Sequence, residues 1–62
     1  MNVSQTKVLH YISVNSNASV SDIADYMGFS EIYVKKILSE LKKQDYIKRV
    51  GSNRKGSWEI LK

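Results

Sequence analysis

The side chains of this 62-residue chain that stand out chemically are cationic. Ten Lys and Arg residues oppose six Asp and Glu residues, which gives a net charge of +4. Residues 35–62 hold nine of the cations and three of the acids, a local charge of +6, whereas residues 1–34 carry −2. Basic charge concentrated in one half of a chain indicates a polyanionic partner. Nucleic acid is the first candidate, and an anionic membrane surface is the second.

The residue types that enzymes use are scarce. The absence of cysteine excludes a disulfide framework, a thiolate zinc site and a cysteine nucleophile. His10 is the only histidine, so no pair of histidine ligands exists, and we interpret it as a surface residue. Asp22 and Asp25 could mimic a catalytic carboxylate pair. We instead interpret Asp22 as an acid in the first turn of a helix, where the helix dipole favours it, and Asp25 as part of a solvated helix face. We therefore expect no enzymatic activity, no metal or other cofactor and no small-molecule substrate.

Length and hydropathy limit the architecture and the location. The chain is long enough for one small domain, which we place over residues 1–62. No apolar run approaches the roughly 20 residues of a membrane-spanning helix, and residues 1–4 do not begin a secretory signal. We therefore expect no membrane association and a cytoplasmic location, at the nucleoid if the source is prokaryotic.

Two short helices are predicted in the first half of the chain. Helix 1 is expected over residues 5–15, with Ser4 as its N-cap. Helix 2 is expected over residues 22–27, with Ser21 as its N-cap. Residues 18–20, between the two helices, could form a short third strand of a small sheet.

A third helix follows after a tight turn. Gly28 suits the left-handed backbone conformation that ends a helix, and Ser30 is the N-cap of the next helix. Helices joined by so short a turn must cross, as in a helix-turn-helix. Helix 3 is predicted over residues 31–44. Its apolar side chains recur at the spacing of one buried helix face, and they are Val34, Ile37, Leu38 and Leu41.

The chain ends in a predicted β-hairpin over residues 46–61. Here the apolar pattern alternates, and Gly51 and Gly56 bracket the loop between the two strands. Lys48 and Arg49 precede this loop on opposite faces of a strand, so we expect only one of them to face a nucleic acid. The predicted fold class is α+β, with three helices and a C-terminal two-stranded hairpin.

This order of elements resembles the winged helix-turn-helix family, in which the hairpin is the wing. The resemblance is carried by the segment 20–30, the apolar face of helix 3 and the segment 46–51. Residues 49–60 look most like the small winged helices that end Fic-type and RecG-like helicase-related proteins. The resemblance implies binding of duplex DNA, with helix 3 in the major groove and the wing on the backbone or in the minor groove. Such a domain serves a transcriptional regulator or forms the DNA-binding module of a larger protein.

The predicted DNA contacts come from the outer face of helix 3 and from the tip of the wing. Lysines on that face can reach phosphates or guanine acceptors, and Ile32 can touch a thymine methyl group. Ser30 places backbone N–H groups near a phosphate, and Tyr33 is the one tyrosine that we expect to contact DNA. The full predicted set is Ser30, Ile32, Tyr33, Lys35, Lys36, Ser39, Lys43, Arg54 and Lys55. Trp58 is expected in the core, with its indole N–H near the surface.

Two other functions fit the same pattern. The domain could be a protein-interaction or dimerisation module, with Ile32 and Tyr33 as its anchors and the cations merely solvated. Winged Z-DNA-binding domains share the glycine turn and a tryptophan-bearing wing. They place asparagine and tyrosine where Lys35 and Ser39 stand, and a proline pair before the tryptophan, whereas this chain has no proline. A homodimer that binds two DNA half-sites is also left open by the sequence.

Overall fold

Three helices are followed by a two-stranded antiparallel sheet, as predicted. The computed structural model describes residues 2–51 and 56–61. Two of the predicted wing contacts, Arg54 and Lys55, therefore lie outside the described residues. The elements are α1 (Val3–Val14), α2 (Val20–Met27), α3 (Glu31–Lys43), β1 (Ile47–Val50) and β2 (Ser57–Ile60). None of the described helices has the length and apolarity to cross a bilayer.

Helix α1 begins two residues before the predicted start, and its N-cap is Asn2 rather than Ser4. The Asn2 side chain accepts a hydrogen bond of 2.8 Å from the backbone N–H of Gln5. The Gln5 side chain accepts one of 3.1 Å from the backbone N–H of Asn2. This reciprocal pair satisfies two N–H groups that the helix start would leave without partners. The prediction of Ser4 as N-cap was wrong because the reciprocal pair requires the residue three positions before Gln5, which is Asn2.

The predicted N-cap and start of helix α2 also have to be moved by two residues. Its N-cap is Ser19 rather than Ser21, and the helix begins at Val20 instead of residue 22. The Ser19 hydroxyl accepts from the backbone N–H of Asp22, and the Asp22 carboxylate accepts from the backbone N–H of Ser19, both at 3.1 Å. Residues 18–20 consequently form no strand, since Val20 is already helical and Ser19 is the cap.

The turn between α2 and α3 is built as the sequence predicted. Gly28 has φ +72°, in the left-handed region, and it ends α2. The backbone N–H groups of Gly28 and Phe29 both donate to the carbonyl oxygen of Ala24, at 2.9 and 3.0 Å. The Ser30 hydroxyl then accepts from the backbone N–H of Tyr33 at 3.2 Å and caps α3. Two helices are thereby joined at a fixed crossing.

Helix α3 ends at Lys43, one residue before the predicted end. Asp45 follows with φ +60°, a left-handed conformation that asparagine and aspartate tolerate better than most residues. Its neighbour Tyr46 donates its backbone N–H to the carbonyl oxygen of Leu41 at 3.0 Å. This turn directs the chain from α3 straight into β1.

The hairpin has one face that turns to the core and one that turns to solvent. Ile47 pairs with Ile60, and Arg49 pairs with Trp58. Since side chains alternate along a strand, these four lie on one face, while the pairs Lys48 with Glu59 and Val50 with Ser57 lie on the other. Burial agrees with this assignment, because Ile47 and Trp58 are buried and Lys48 and Glu59 are exposed.

All three helices and both strands contribute to one hydrophobic core. The four apolar residues predicted for the inner face of α3 are all buried in it. Among the described residues the buried hydrophobic core consists of Val8, Ile12, Ala18, Ile23, Ala24, Val34, Ile37, Leu38, Leu41, Ile47 and Trp58. The opposite face of α3 therefore has no packing role in the body of the domain.

Trp58 connects the hairpin to the loop between α1 and α2. Its backbone N–H donates to the carbonyl oxygen of Ser16 at 2.7 Å, and its indole N–H donates to that of Ala18 at 3.2 Å. The second bond is buried, so the expectation of an indole N–H near the surface was wrong. These two bonds attach the loop between α1 and α2 to β2.

Candidate nucleic-acid interface

The outer face of α3 presents one row of polar and apolar side chains. At about 100° per residue, Ile32, Lys36, Ser39 and Lys43 point away from the buried face. All four are exposed, and Ile32 is 81% exposed although it is apolar. Lys35 is exposed on the flank of the same row. The structure thus brings together five of the residues that the sequence predicted as DNA contacts.

The first turn of α3 adds two more of the predicted residues. Ser30 is exposed, and its hydroxyl is occupied as the N-cap of the helix. Tyr33 is 38% exposed, and its ring meets the ring of Phe29 edge-on, with 4.9 Å between the centroids. Because this contact restricts the tyrosine ring, the side chain is held at the edge of the exposed row rather than free in solvent.

The lysines of this row form no ion pair with an acid of the described residues. Across residues 2–51 and 56–61 the one ion pair joins Lys48 and Glu59, so no carboxylate lies within ion-pair distance of Lys36 or Lys43. Glu40 lies four residues after Lys36 and three before Lys43, and it accepts a hydrogen bond from Gln5 of α1 instead of pairing with either lysine. The outer face of α3 is therefore a cationic surface.

Glu40 and Gln5 form a contact that the sequence did not reveal. Gln5 is 6% exposed, and its side-chain Nε2 donates to Oε2 of Glu40 at 2.6 Å. The signal for Gln5 was present, because it lies three residues before the buried Val8 on the same stripe of α1 and three residues after Asn2. The signal for its partner was absent, since Glu40 is 35 residues away.

On the wing, the structure separates the two neighbouring cations. Lys48 lies on the solvent face, where its Nζ is 3.3 Å from Oε2 of Glu59. Arg49 lies on the inner face, with the carbon at the centre of its guanidinium 4.6 Å from the centroid of the Trp58 ring. Lys48 is thus paired with an acid, whereas the guanidinium of Arg49 lies over an aromatic ring.

A shallow groove between α1 and the end of α2 is the other notable surface. The rings of Tyr11 and Tyr26 stack there with 4.4 Å between centroids and 29° between planes. Lys7 and His10 are also among the residues that line the groove. In the described part of the chain no three His, Asp or Glu side chains cluster in a way that could hold a metal ion.

Comparison with known proteins decides the family. A protein-family model described as the MarR family matches residues 1–56. The chain belongs to the MarR family. Members are winged helix-turn-helix DNA-binding domains without enzymatic activity, which confirms the predicted fold class and the expectation of a non-enzyme. No curated protein and no solved structure gives a significant match.

The match to the MarR family ends at residue 56, before β2 begins. The general winged helix-turn-helix resemblance is therefore confirmed over α1, α2, α3 and β1. The likeness of residues 49–60 to the small winged helices of Fic-type and RecG-like helicase-related proteins stays a prediction.

Proposed function

We propose that the chain binds double-stranded DNA with the outer face of α3 in the major groove and the wing against the sugar-phosphate backbone. It does so as a transcriptional regulator or as the DNA-binding module of a larger protein. The observation that carries the proposal is the exposed row Ile32, Lys36, Ser39 and Lys43, which lies opposite the core and whose lysines form no ion pair within the described residues. Membership of the MarR family supports it.

The chemistry of this row suits a B-DNA major groove. The groove is about 12 Å wide and accepts one α-helix with its side chains. Lys36 and Lys43 can donate to phosphate oxygens or to the O6 and N7 acceptors of guanine, and Ser39 can donate or accept. Ile32 can pack on a thymine methyl group, which gives it a role in base selection that a solvated lysine does not have.

The remaining predicted contacts surround this row. Ser30 is the N-cap of α3, where backbone N–H groups and the positive end of the helix dipole favour a phosphate. Tyr33 and Lys35 flank the row and are positioned for the two phosphate strands that border a groove. Arg54 and Lys55, in the wing loop, are proposed to reach the adjacent minor groove or its phosphates.

The decisive experiment measures the salt dependence of binding to a labelled duplex of about 20 base pairs, a length that spans two helical turns. We expect tight binding at low salt and a steep loss as salt rises. The double variant Lys36→Gln with Lys43→Gln should lower the slope of log K against log salt by about 1.8, since each lost phosphate contact removes about 0.9.

The matched control is Lys7→Gln with Lys48→Gln, which removes the same charge from α1 and from the outer face of the wing. We expect this variant to retain most of the parent slope. Equal losses in the two double variants would show that net charge, and not the α3 face, determines binding. A parent chain that does not bind the duplex at low salt would refute the proposed function.

The exposure of Ile32 favours one second candidate, a protein-interaction or dimerisation module. An apolar side chain that is 81% exposed could anchor a partner or a second copy of the chain. This candidate predicts self-association that depends little on salt and that Ile32→Ser abolishes. Sedimentation velocity of the parent and of Ile32→Ser, with and without duplex, separates the two candidates and gives the number of chains bound per duplex.

A further inference from the structure

We infer that Arg49, held against the ring of Trp58, is a binding site for a phosphate group of the DNA backbone. This residue is outside the predicted set of contacts. The inference rests on the proposed function, because the phosphate belongs to the duplex whose major groove takes α3.

The ring that supports Arg49 is fixed on two sides. Trp58 is 8% exposed, and both its backbone N–H and its indole N–H are hydrogen-bonded to the loop between α1 and α2, at Ser16 and Ala18. Arg49 is the cross-strand partner of Trp58, and its guanidinium lies 4.6 Å from the ring centroid. The arginine head is thus held in place before any ligand arrives, which reduces the entropy lost on binding.

Contact with the ring does not consume the hydrogen-bonding capacity of the Arg49 guanidinium. A cation on an aromatic face uses its π surface, while the five N–H donors of arginine lie in the plane of the group. No carboxylate of the described residues lies within ion-pair distance of Arg49. Two coplanar donors of such a group match two oxygens of a phosphate, so a phosphodiester is a suitable acceptor.

The surroundings favour an anion at this place. Glu59 is on the opposite face of the hairpin and is paired with Lys48. Residues 35–62 carry a net charge of +6, and two of those cations follow Arg49 in the wing loop. An anion that approaches Arg49 therefore meets a region of net positive charge, and no carboxylate of the described residues is ion-paired with this arginine.

The position along the strand agrees with a backbone contact. Arg49 is two residues beyond Ile47, which is buried in the core, and so lies about 7 Å further out at the usual rise of a strand. The wing loop begins two residues later. If α3 occupies the major groove and the hairpin lies against the sugar-phosphate backbone, as proposed above, Arg49 is close enough to the outer end of β1 to meet that backbone.

Lys48 provides a matched control for the test. Arg49→Gln and Lys48→Gln remove the same charge from adjacent residues on opposite faces of one strand. With the duplex of about 20 base pairs, we expect Arg49→Gln to bind about tenfold more weakly than Lys48→Gln and to lower the salt slope by about 0.9. Arg49→Lys should recover only part of this loss, because lysine lacks the planar pair of donors. Equal affinities of Arg49→Gln and Lys48→Gln would overturn the inference.

A second measurement does not depend on the folding of a variant. In the parent chain labelled with nitrogen-15, the Nε–Hε signal of Arg49 should shift when the duplex is added and should not shift with the same concentration of inorganic phosphate. An unchanged signal at saturation by duplex overturns the inference. The outcome also separates the two proposals: loss of binding in the Lys36 and Lys43 double variant, with no specific effect at Arg49, leaves the proposed function intact and removes this site alone.

Discussion

The indole Nε1 of Trp58 donates a hydrogen bond of 3.2 Å to the carbonyl oxygen of Ala18, a residue 40 positions earlier in the chain. Both groups are buried, and the backbone N–H of Trp58 adds a bond of 2.7 Å to the carbonyl oxygen of Ser16. The wing is thereby attached to the loop between α1 and α2 as well as to the end of α3. A hairpin of two four-residue strands has little stability by itself, so this attachment holds the wing in position.

The substitution Trp58→Phe tests that attachment. It keeps an aromatic ring but removes the indole donor, which leaves the buried carbonyl of Ala18 without its partner. We expect the free energy of unfolding to fall by about 1–3 kcal/mol, measured by urea denaturation followed by far-UV circular dichroism. As a control, Tyr33→Phe alters an exposed ring and should change stability by less than about 0.5 kcal/mol. A Trp58→Phe variant as stable as the parent would contradict the role of this bond.

The start of α2 gives a test with two serines. Ser19→Ala removes the N-cap and one half of the reciprocal pair with Asp22, so the free energy of unfolding should fall by about 1 kcal/mol. Ser21→Ala, in the first turn of the same helix, should have almost no effect or a slight stabilising one, because alanine has the higher helix propensity. Thermal unfolding of both variants decides the assignment. A larger loss of stability for Ser21→Ala than for Ser19→Ala would contradict this assignment and support Ser21 as the N-cap.

Substitutions on the two faces of α3 should affect different properties: stability for the buried face and DNA binding for the exposed face. Leu41 is fully buried, and Leu41→Ala should lower the free energy of unfolding by about 2–5 kcal/mol, a large part of what a small domain has. Ile32→Ala on the opposite face should leave stability within about 0.5 kcal/mol of the parent. The same substitution should weaken binding of a preferred duplex if Ile32 contacts a base. Chemical denaturation and duplex titration of both variants test the two halves of this prediction.

The hydrogen bond between Gln5 and Glu40 should couple the effects that substitutions at these two residues have on the free energy of unfolding. A double-mutant cycle of Gln5→Ala and Glu40→Ala, measured by urea unfolding, should give a coupling energy of about 1 kcal/mol. Glu31→Ala replaces Glu40→Ala in the control cycle, because Glu31 is an exposed acid of the same helix that no hydrogen bond joins to Gln5. Coupling of the same size in both cycles would show that the contact between Gln5 and Glu40 contributes nothing specific.

Local patterns predicted most of the helices. The spacing of Val34, Ile37, Leu38 and Leu41 identified the buried face of α3, and the same rotation of about 100° per residue placed Ile32 outside it. The two N-caps were wrong by two residues because several serines and asparagines near each start have similar propensity to cap. What decides between them is the reciprocal partner three residues later, Gln5 for Asn2 and Asp22 for Ser19.

Contacts between distant residues could not be predicted from local patterns. The sequence shows that Trp58 belongs in the core, but which carbonyl accepts its indole N–H depends on how the hairpin meets a loop 40 residues away. The same holds for Glu40 and Gln5. For the site, the exposure of the α3 row could be derived from helix geometry, whereas the separation of Lys48 from Arg49 required the register of the hairpin.

Trp58 is the only tryptophan of the chain, and its ring lies where the hairpin, the loop between α1 and α2 and the guanidinium of Arg49 meet. Its intrinsic fluorescence therefore originates from this single junction. We expect the tryptophan emission of the unlabelled protein to report whether the wing is packed on the body, and to change when an anion binds Arg49. The single tryptophan can therefore be used as an intrinsic optical probe of this junction.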